Sequence, residues 1–471
     1  MNQKIVQKKH NHQINLILSQ IPSVEILLQN EELKKLSTKY SRKVLVQVIR
    51  KVLSRERNQT KKSGKTYSNS ERIKEIKTSL ALENQDYLKR VINGSGVILH
   101  TNLGRAPLGK EILERITPEL ENYLNLEYDL REGVRGKRGI MIEKLLYLLT
   151  QAEKSLVVNN NAGAVFLILS ALAKNKEVIV SRGELIQIGG GFRIPEILEQ
   201  SGAHLREVGT TNQTFIEDYE KAINEDTALL LKVHQSNFQM EGFTYQVEIK
   251  ELKELGEKYH LPVVVDLGSG TFLNTENFGL KHEPTVQENI QAGADIVCFS
   301  TDKLLGGPQG GIICGKENYI NTIATHPLFR TLRVGKITLA FLQEILLCYL
   351  KKQEINHIAL WKMISYPLEQ IEKRAKYISQ KLNQENIPTF IIEGETTIGG
   401  GALPGQTLPT RLLLIKPLVS VEEFSKYLRL SSPPLIGRKE KEYFVLDLRT
   451  IDPDLDEMII EIIKSVWLKI K

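Results

Sequence analysis

The stretch ADIVCFSTDKLLGGPQGGIICGKE (294–317) decides the fold. Two apolar runs, DIVCFS and GIICG, flank a turn that carries Lys303 and the glycines 306, 307, 310 and 311. A lysine placed just past a buried strand loses hydration on its ammonium, which is costly. The same desolvation lowers its pKa and favours the neutral amine, the form that attacks carbonyls. The glycines after it let the backbone come close to a flat or phosphorylated ligand. The plain alternative is a surface lysine beside a glycine-rich turn.

Working outward, the same texture begins near residue 155. Short apolar runs (KSLVVNN, EVIVSRGE, ALLLKVHQS, PVVVDLGSG) alternate with helix-like segments such as AVFLILSALAKN and KELKELGEKYH. Continuous apolar strands separated by helices predict an α/β domain with a mostly parallel sheet covered on both faces. The polar and glycine-rich residues fall at the C-terminal ends of the runs, where open α/β sheets bind ligands. PVVVDLGSG (262–270) ends its strand on Asp266, upstream of Lys303. A carboxylate there can pair with a protonated pyridine nitrogen, and an Asp beside a Schiff-base lysine is the arrangement expected for pyridoxal phosphate. In VVNNNAGAV (157–165), Asn161, Ala162 and Gly163 open a helix, and backbone N–H groups at such a start can cup a phosphate. The order of cup, Asp and Lys is that of the aspartate-aminotransferase-like fold type. His234 and Ser236, in KVHQSN at another strand end, could touch the cofactor; a histidine there is also a common structural group.

At 471 residues the chain is long enough for two or three domains. Hydrophobic content of 41% and charged content of 25% are those of a globular protein. Three cysteines without CxxC spacing argue against disulfides and a thiolate zinc site, no metal is called for, and a cytoplasmic setting is expected. The polar start MNQKIVQKKHNHQ lacks a signal peptide's apolar run, and no stretch approaches a membrane span. The net charge of +7 is unevenly placed: residues 1–70 hold 15 Lys and Arg against 4 Glu, a net of +11. A basic module beside a near-neutral body suggests a polyanionic partner; a solvated helical face would look similar. Apolar residues at helical spacing (Ile14, Leu16, Ile17, Ile21; Val44, Leu45, Val48, Ile49, Val52, Leu53) make this module helical, and the polar tract 55–72 reads as a linker or exposed loop. The boundaries expected are 1–72 for the basic helical domain, 73–340 for the large domain, and 341–471 for a linker helix and a smaller α+β domain. IGGGALPGQTLP (398–409) reads as a loop without phosphate geometry.

Longer motifs sharpen this picture. VINGSGVILHTNLGRAPL (91–108), SRGELIQIGGGFRIPEI (181–197), KVHQSNFQMEGFT (232–244), DLGSGTF (266–272), STDKLLGGPQGGIICG (300–315) and RTLRVGK (330–336) resemble the bacterial selenocysteine synthase family, the L-seryl-tRNA(Sec) selenium transferases. Gly163 and Gly335 stand where that family's pattern has Ala and Asp. The resemblance implies a type I pyridoxal-phosphate fold and a basic N-terminal domain that contacts tRNA. It further implies conversion of seryl-tRNA(Sec) to selenocysteinyl-tRNA(Sec) with selenophosphate, through an aldimine and a dehydroalanyl-tRNA. Lys303 would hold the cofactor and remove the Cα proton, and Asp266 would pair with the ring nitrogen. Asp302 would assist proton handling or position the terminal adenosine. Arg105, Arg330 and Arg333 would bind the selenium donor; guanidinium forks suit such oxygens, and two arginines three apart would share a face of a helical turn. Arg438 and Arg449 resemble positions that hold a substrate carboxylate in related enzymes, a role altered or absent where that carboxyl is esterified. The assembly implied is a homodecamer. Two other readings stay open: a related lyase or aminotransferase acting on a small amino acid or amino-sugar phosphate, and an RNA-binding protein with an inactive α/β domain.

Overall fold

The computed structural model describes residues 14–83, 88–189 and 191–471, so the polar opening segment read for a signal peptide lies outside the described residues. The chain divides into two compact units, Met1–Arg90 and Val91–Lys471.

The first unit is helical. Helix Arg42–Ser63 is capped by the Ser41 hydroxyl and ended by Gly64 in the left-handed conformation. It buries Leu45, Val48, Ile49, Val52 and Leu53 against Leu27, Leu33, Ile73, Ile76 and Leu80. The tract expected to be a linker is therefore wrong as read: its first part completes this helix, and Asn69 begins the next, Asn69–Glu83. Its polar residues deceived because they pair inside the unit. Arg72 donates to both oxygens of Glu56 at 2.8 and 2.7 Å, and both side chains are almost wholly buried.

The second unit is built on a seven-stranded sheet. Its strands are β1 (Lys154–Val158), β2 (Glu177–Ser181), β3 (His204–Val208), β4 (Thr227–Val233), β5 (Val263–Gly268), β6 (Ile296–Ser300) and β7 (Gly311–Gly315). They lie in the order β1-β7-β6-β5-β4-β2-β3. All neighbours are parallel except β7, which runs antiparallel to both β6 and β1. The mostly parallel α/β reading is borne out. Apolar clusters cover both faces, one containing Val263, Val265 and Leu267, the other Val264, Ile296 and Cys298. Alternate residues of each strand thus feed opposite cores, which is why the runs read as continuously apolar.

Helix Lys336–Leu350 leads toward a five-stranded sheet, in which Thr389–Gly399 and Thr407–Ile415 form a long hairpin. Arg438–Glu440 and Tyr443–Asp447 extend one edge antiparallel, and helices Leu368–Gln384 and Asp456–Ile470 pack beside it. Its other edge strand comes from far away: Val97–Leu99 pairs parallel with the hairpin, Val97 opposite Thr397 and Leu99 opposite Gly399. Among the described residues, no helix is long and apolar enough to cross a membrane.

Candidate active site

The C-terminal ends of β1, β4, β5 and β6 converge. β1 turns through Asn159 and Asn160 into helix Asn161–Leu172. Asn160 caps that helix by accepting from the Gly163 N–H at 2.7 Å, and Asn161, Ala162 and Gly163 form its first turn. A methyl group on Gly163 would fall 2.9 Å from Asn159 Oδ1 and 3.2 Å from Leu332 Cδ2, so glycine suits this turn. Asn161 Nδ2 donates to Asp266 Oδ1 at 2.8 Å, which ties the helix start to β5.

Asp266 sits where the β5–β6 register slips between Asp266 and Gly268. Such an irregularity re-aims side chains beside a site. Burial pushes the Asp266 carboxyl up; the Asn161 hydrogen bond, Lys303 and His234 pull it back in part. Lys303 lies in the turn after β6 and is 4% exposed. Burial lowers the basicity of its amine, opposed by Asp266 and reinforced by Arg105. Gly268 lies between two functional groups: a Cβ there would be 3.5 Å from Ser236 Oγ and 3.7 Å from Lys303 Nζ. His234, at the end of β4, is paired through Nε2 with Glu283 Oε1 at 3.2 Å. Burial alone would raise the Glu283 carboxyl, yet His234 and Lys303 hold it below its usual range. Glu283 sits in a polar loop with no periodic signal, and sequence reasoning did not find it.

Arg105 has a φ of +62° and extends Nη1 to Asp302 Oδ2 at 2.8 Å. Arg333 does not share a helical turn with Arg330, contrary to the spacing argument. Helix Pro327–Thr331 ends before it, and Arg333 pairs by its backbone with Val158. The Asn159 N–H, donating to Leu332 O at 2.9 Å, holds this stretch extended against the end of β1. Glu127 gathers Arg138, Arg135 and Arg333 at 2.8, 3.1 and 3.2 Å, while Arg330 is exposed. The structure thus links Lys303, Asp266, Asn161, Asp302 and Arg105 closely, with His234 and Ser236 beside them; Arg105, Arg330 and Arg333 share no partner among the described residues. Arg449 is occupied elsewhere, donating to the carbonyls of Met363, Ile364, Tyr366 and Pro409. Arg438 reaches the Glu395 carbonyl at 3.4 Å.

This donor set fits a flat aromatic aldehyde that carries a ring nitrogen and a phosphate. It offers a buried amine, a buried carboxylate aligned by Asn161, and a helix start at Asn161 and Ala162 ahead of the capped Gly163 N–H. Two further acceptors, Asn161 Oδ1 and Asp302 Oδ1, are buried without a hydrogen-bond partner among the described residues; buried polar atoms of this kind call for a partner.

Fold and site together define the scaffold of the type I pyridoxal-phosphate enzymes. D-glucosaminate-6-phosphate ammonia-lyase shares it, with a TM-score of 0.57 at 19% identity over 82% of this chain and 98% of that one. The family profile described as L-seryl-tRNA selenium transferase matches residues 91–452, and one described as selenocysteine synthase N terminal matches 18–57. The chain belongs to the L-seryl-tRNA selenium transferase family. The L-seryl-tRNA(Sec) selenium transferase of Carboxydothermus hydrogenoformans is 46% identical, over 92% of this chain and 94% of that protein. Those of Alkaliphilus metalliredigens and Clostridium botulinum (strain Loch Maree) are 44% and 42% identical, each over 96% of this chain and 98% of the relative.

Proposed function

We propose that this chain converts L-seryl-tRNA(Sec) to L-selenocysteinyl-tRNA(Sec) in the cytoplasm, by way of a dehydroalanyl-tRNA, with selenophosphate as donor and pyridoxal phosphate held at Lys303. The observation that carries this reading is the buried Lys303–Asp266–Asn161 arrangement in a chain so similar to named transferases. Bound pyridoxal phosphate supplies an electron sink for negative charge at the seryl Cα. Asp266, fixed by Asn161, would face the ring nitrogen and favour its protonated form. Ser236 and His234, the latter braced by Glu283, would line the space for the ring. The helix start at Asn161, Ala162 and Gly163 would receive the phosphate. Lys303, its basicity lowered by burial and by Arg105, takes the Cα proton. Asp302 orients Arg105, and Arg105, Arg330 and Arg333 bind the donor anion.

The tRNA falls to the basic N-terminal unit, where Arg50, Arg57, Lys61 and Lys62 stand exposed along helix Arg42–Ser63. The working enzyme is a homo-oligomer, in line with the decamer that the resemblance implies. Supporting self-association, Tyr128, Leu130, Val134, Ile140, Met141, Tyr147 and Leu148 leave a stretch of large apolar side chains exposed.

Borohydride reduction of the loaded enzyme places a pyridoxyl group on Lys303, read by peptide mass mapping; a tag on another lysine refutes the assignment. Supplying seryl-tRNA(Sec) and selenophosphate yields selenocysteinyl-tRNA(Sec), and failure to form it refutes the reaction. Removing residues 1–90 abolishes tRNA binding while the cofactor absorbance persists; undiminished tRNA affinity refutes the role of that unit.

A further inference from the structure

The hairpin tip between Thr389–Gly399 and Thr407–Ile415 belongs to the C-terminal sheet, yet it ends on the reactive lysine. Gly401 has a φ of +87°. A Cβ built on it would lie 2.7 Å from Lys303 Cε, 3.0 Å from Nζ and 3.3 Å from Cδ. No side chain fits there while the lysine stem keeps its place. The tip is firmly built. The Gly400 N–H donates to Leu99 O at 3.3 Å, and the Gln406 N–H to Leu403 O at 3.1 Å. Gln406 Oε1 accepts from the Lys281 N–H at 3.1 Å. Ala402 and Leu403 are buried in the same apolar cluster as Leu304 and Leu305, which directly follow the lysine.

A lysine carries its charge on a flexible four-carbon stem, so a base of this kind needs a surface to rest on. We infer that Gly401 is a positioning residue for Lys303: the bare backbone of the tip is the wall against which the stem rests, and it fixes the point from which the amine takes and returns protons. The inference rests on the reading of Lys303 as the cofactor lysine. Within the stretch that read as a plain loop, Gly401 thereby becomes part of the active site.

The test compares Gly401→Ala with Gly405→Ala in the full-length holoenzyme. Gly405, on the same tip, has a φ of +70°, and a Cβ there meets only the Gln239 side chain, the nearest atom at 3.5 Å. Both variants carry the strain of a left-handed alanine, but only one meets the lysine. Gly405→Ala keeps turnover within about threefold of wild type, whereas Gly401→Ala loses about 100-fold, the scale of an ångström's misplacement. KM for seryl-tRNA(Sec) stays within about threefold in both, since only a reacting group has moved. The pH midpoint of the cofactor absorbance shifts in Gly401→Ala alone. A second measurement stands whether or not the variant is active: Gly401→Ala lowers the melting temperature of the cofactor-free protein, and the loss shrinks in a Lys303→Ala background, where the stem is gone. Equal losses in both backgrounds, or matching absorbance and turnover in the two glycine variants, overturn the inference. Absence of a pyridoxyl label on Lys303 in the wild type overturns the underlying assignment, and the inference with it.

Discussion

Each unit buries a basic side chain and a carboxylate in one neighbourhood, and the two neighbourhoods treat them in opposite ways. In the N-terminal unit, Arg72 grips both oxygens of Glu56, and the Thr66 hydroxyl and Tyr67 N–H donate to the same carboxylate. Arg72 also donates to Asn69 and to the Tyr67 carbonyl. Burial would raise the Glu56 carboxyl, but these donors hold it below its ordinary 4.5. In the larger unit, Asp266 has the Asn161 amide and a backbone contact from Gly268, and Lys303 Nζ makes no ion pair among the described residues. Burial there moves both groups toward their neutral forms. The number of hydrogen bonds, not the depth of burial, separates a carboxylate held charged from groups pushed toward neutrality.

That contrast can be broken in order of expected effect. Lys303→Met lowers turnover of seryl-tRNA(Sec) by about 10⁴-fold or more. The melting temperature of the cofactor-free protein stays level or rises, because an under-satisfied ammonium has been removed; a marked drop would mean that Lys303 is structural. Glu56→Ala leaves a buried guanidinium unpaired and costs about 3–5 kcal/mol in urea unfolding of the N-terminal unit. Replacing Glu56 and Arg72 together by Met recovers most of that loss, while labelling of Lys303 is unchanged in either variant.

Glu56 and Lys303 both make stability rise with pH, but by different routes and in different windows, one through a contribution gained and the other through a penalty relieved. Glu56 has a lowered folded pKa, so its contribution is complete above 4.5 and disappears as pH falls through the folded value. Lys303 has a folded pKa below 10.5, so its burial penalty is complete below that folded value and fades as pH rises toward 10.5. In cofactor-free protein, the stability gap between wild type and Lys303→Met therefore closes on the alkaline side. A constant gap would refute the depressed basicity. The smallest effect belongs to Glu127→Gln, which loosens Arg333: KM for selenophosphate rises about two- to fivefold with the melting temperature unmoved.

The large sheet was legible because each of its strands feeds two cores and reads as an unbroken apolar run. Lys303, Asp266 and the Asn161 turn were legible as chemistry at the ends of those runs. The antiparallel course of β7 was not, since GIICG reads as an unbroken apolar run like the parallel strands of the sheet. Glu56 and Arg72 misled for a definite reason: a polar tract looks solvated until the partner that satisfies it is known. Glu283 and Gly401 escaped because their meaning depends on contacts with His234 and Lys303, far off in the chain. Glycine in particular signals only that something comes close, never what.

One pairing sets a schedule for the making of this enzyme. Leu99 finds its partner strand only at Gly399, three hundred residues later. A ribosome adding about 5–20 residues per second needs roughly 15–60 s to cover that distance. The seven-stranded sheet has all its strands once Gly315 has emerged, with the lysine already in its turn. The strand leading to Arg105 must wait for its neighbour, and the glycine tip arrives with that same neighbour. A nascent chain thus holds the Lys303 amine well before the walls around it are closed, so its burial is completed late in synthesis.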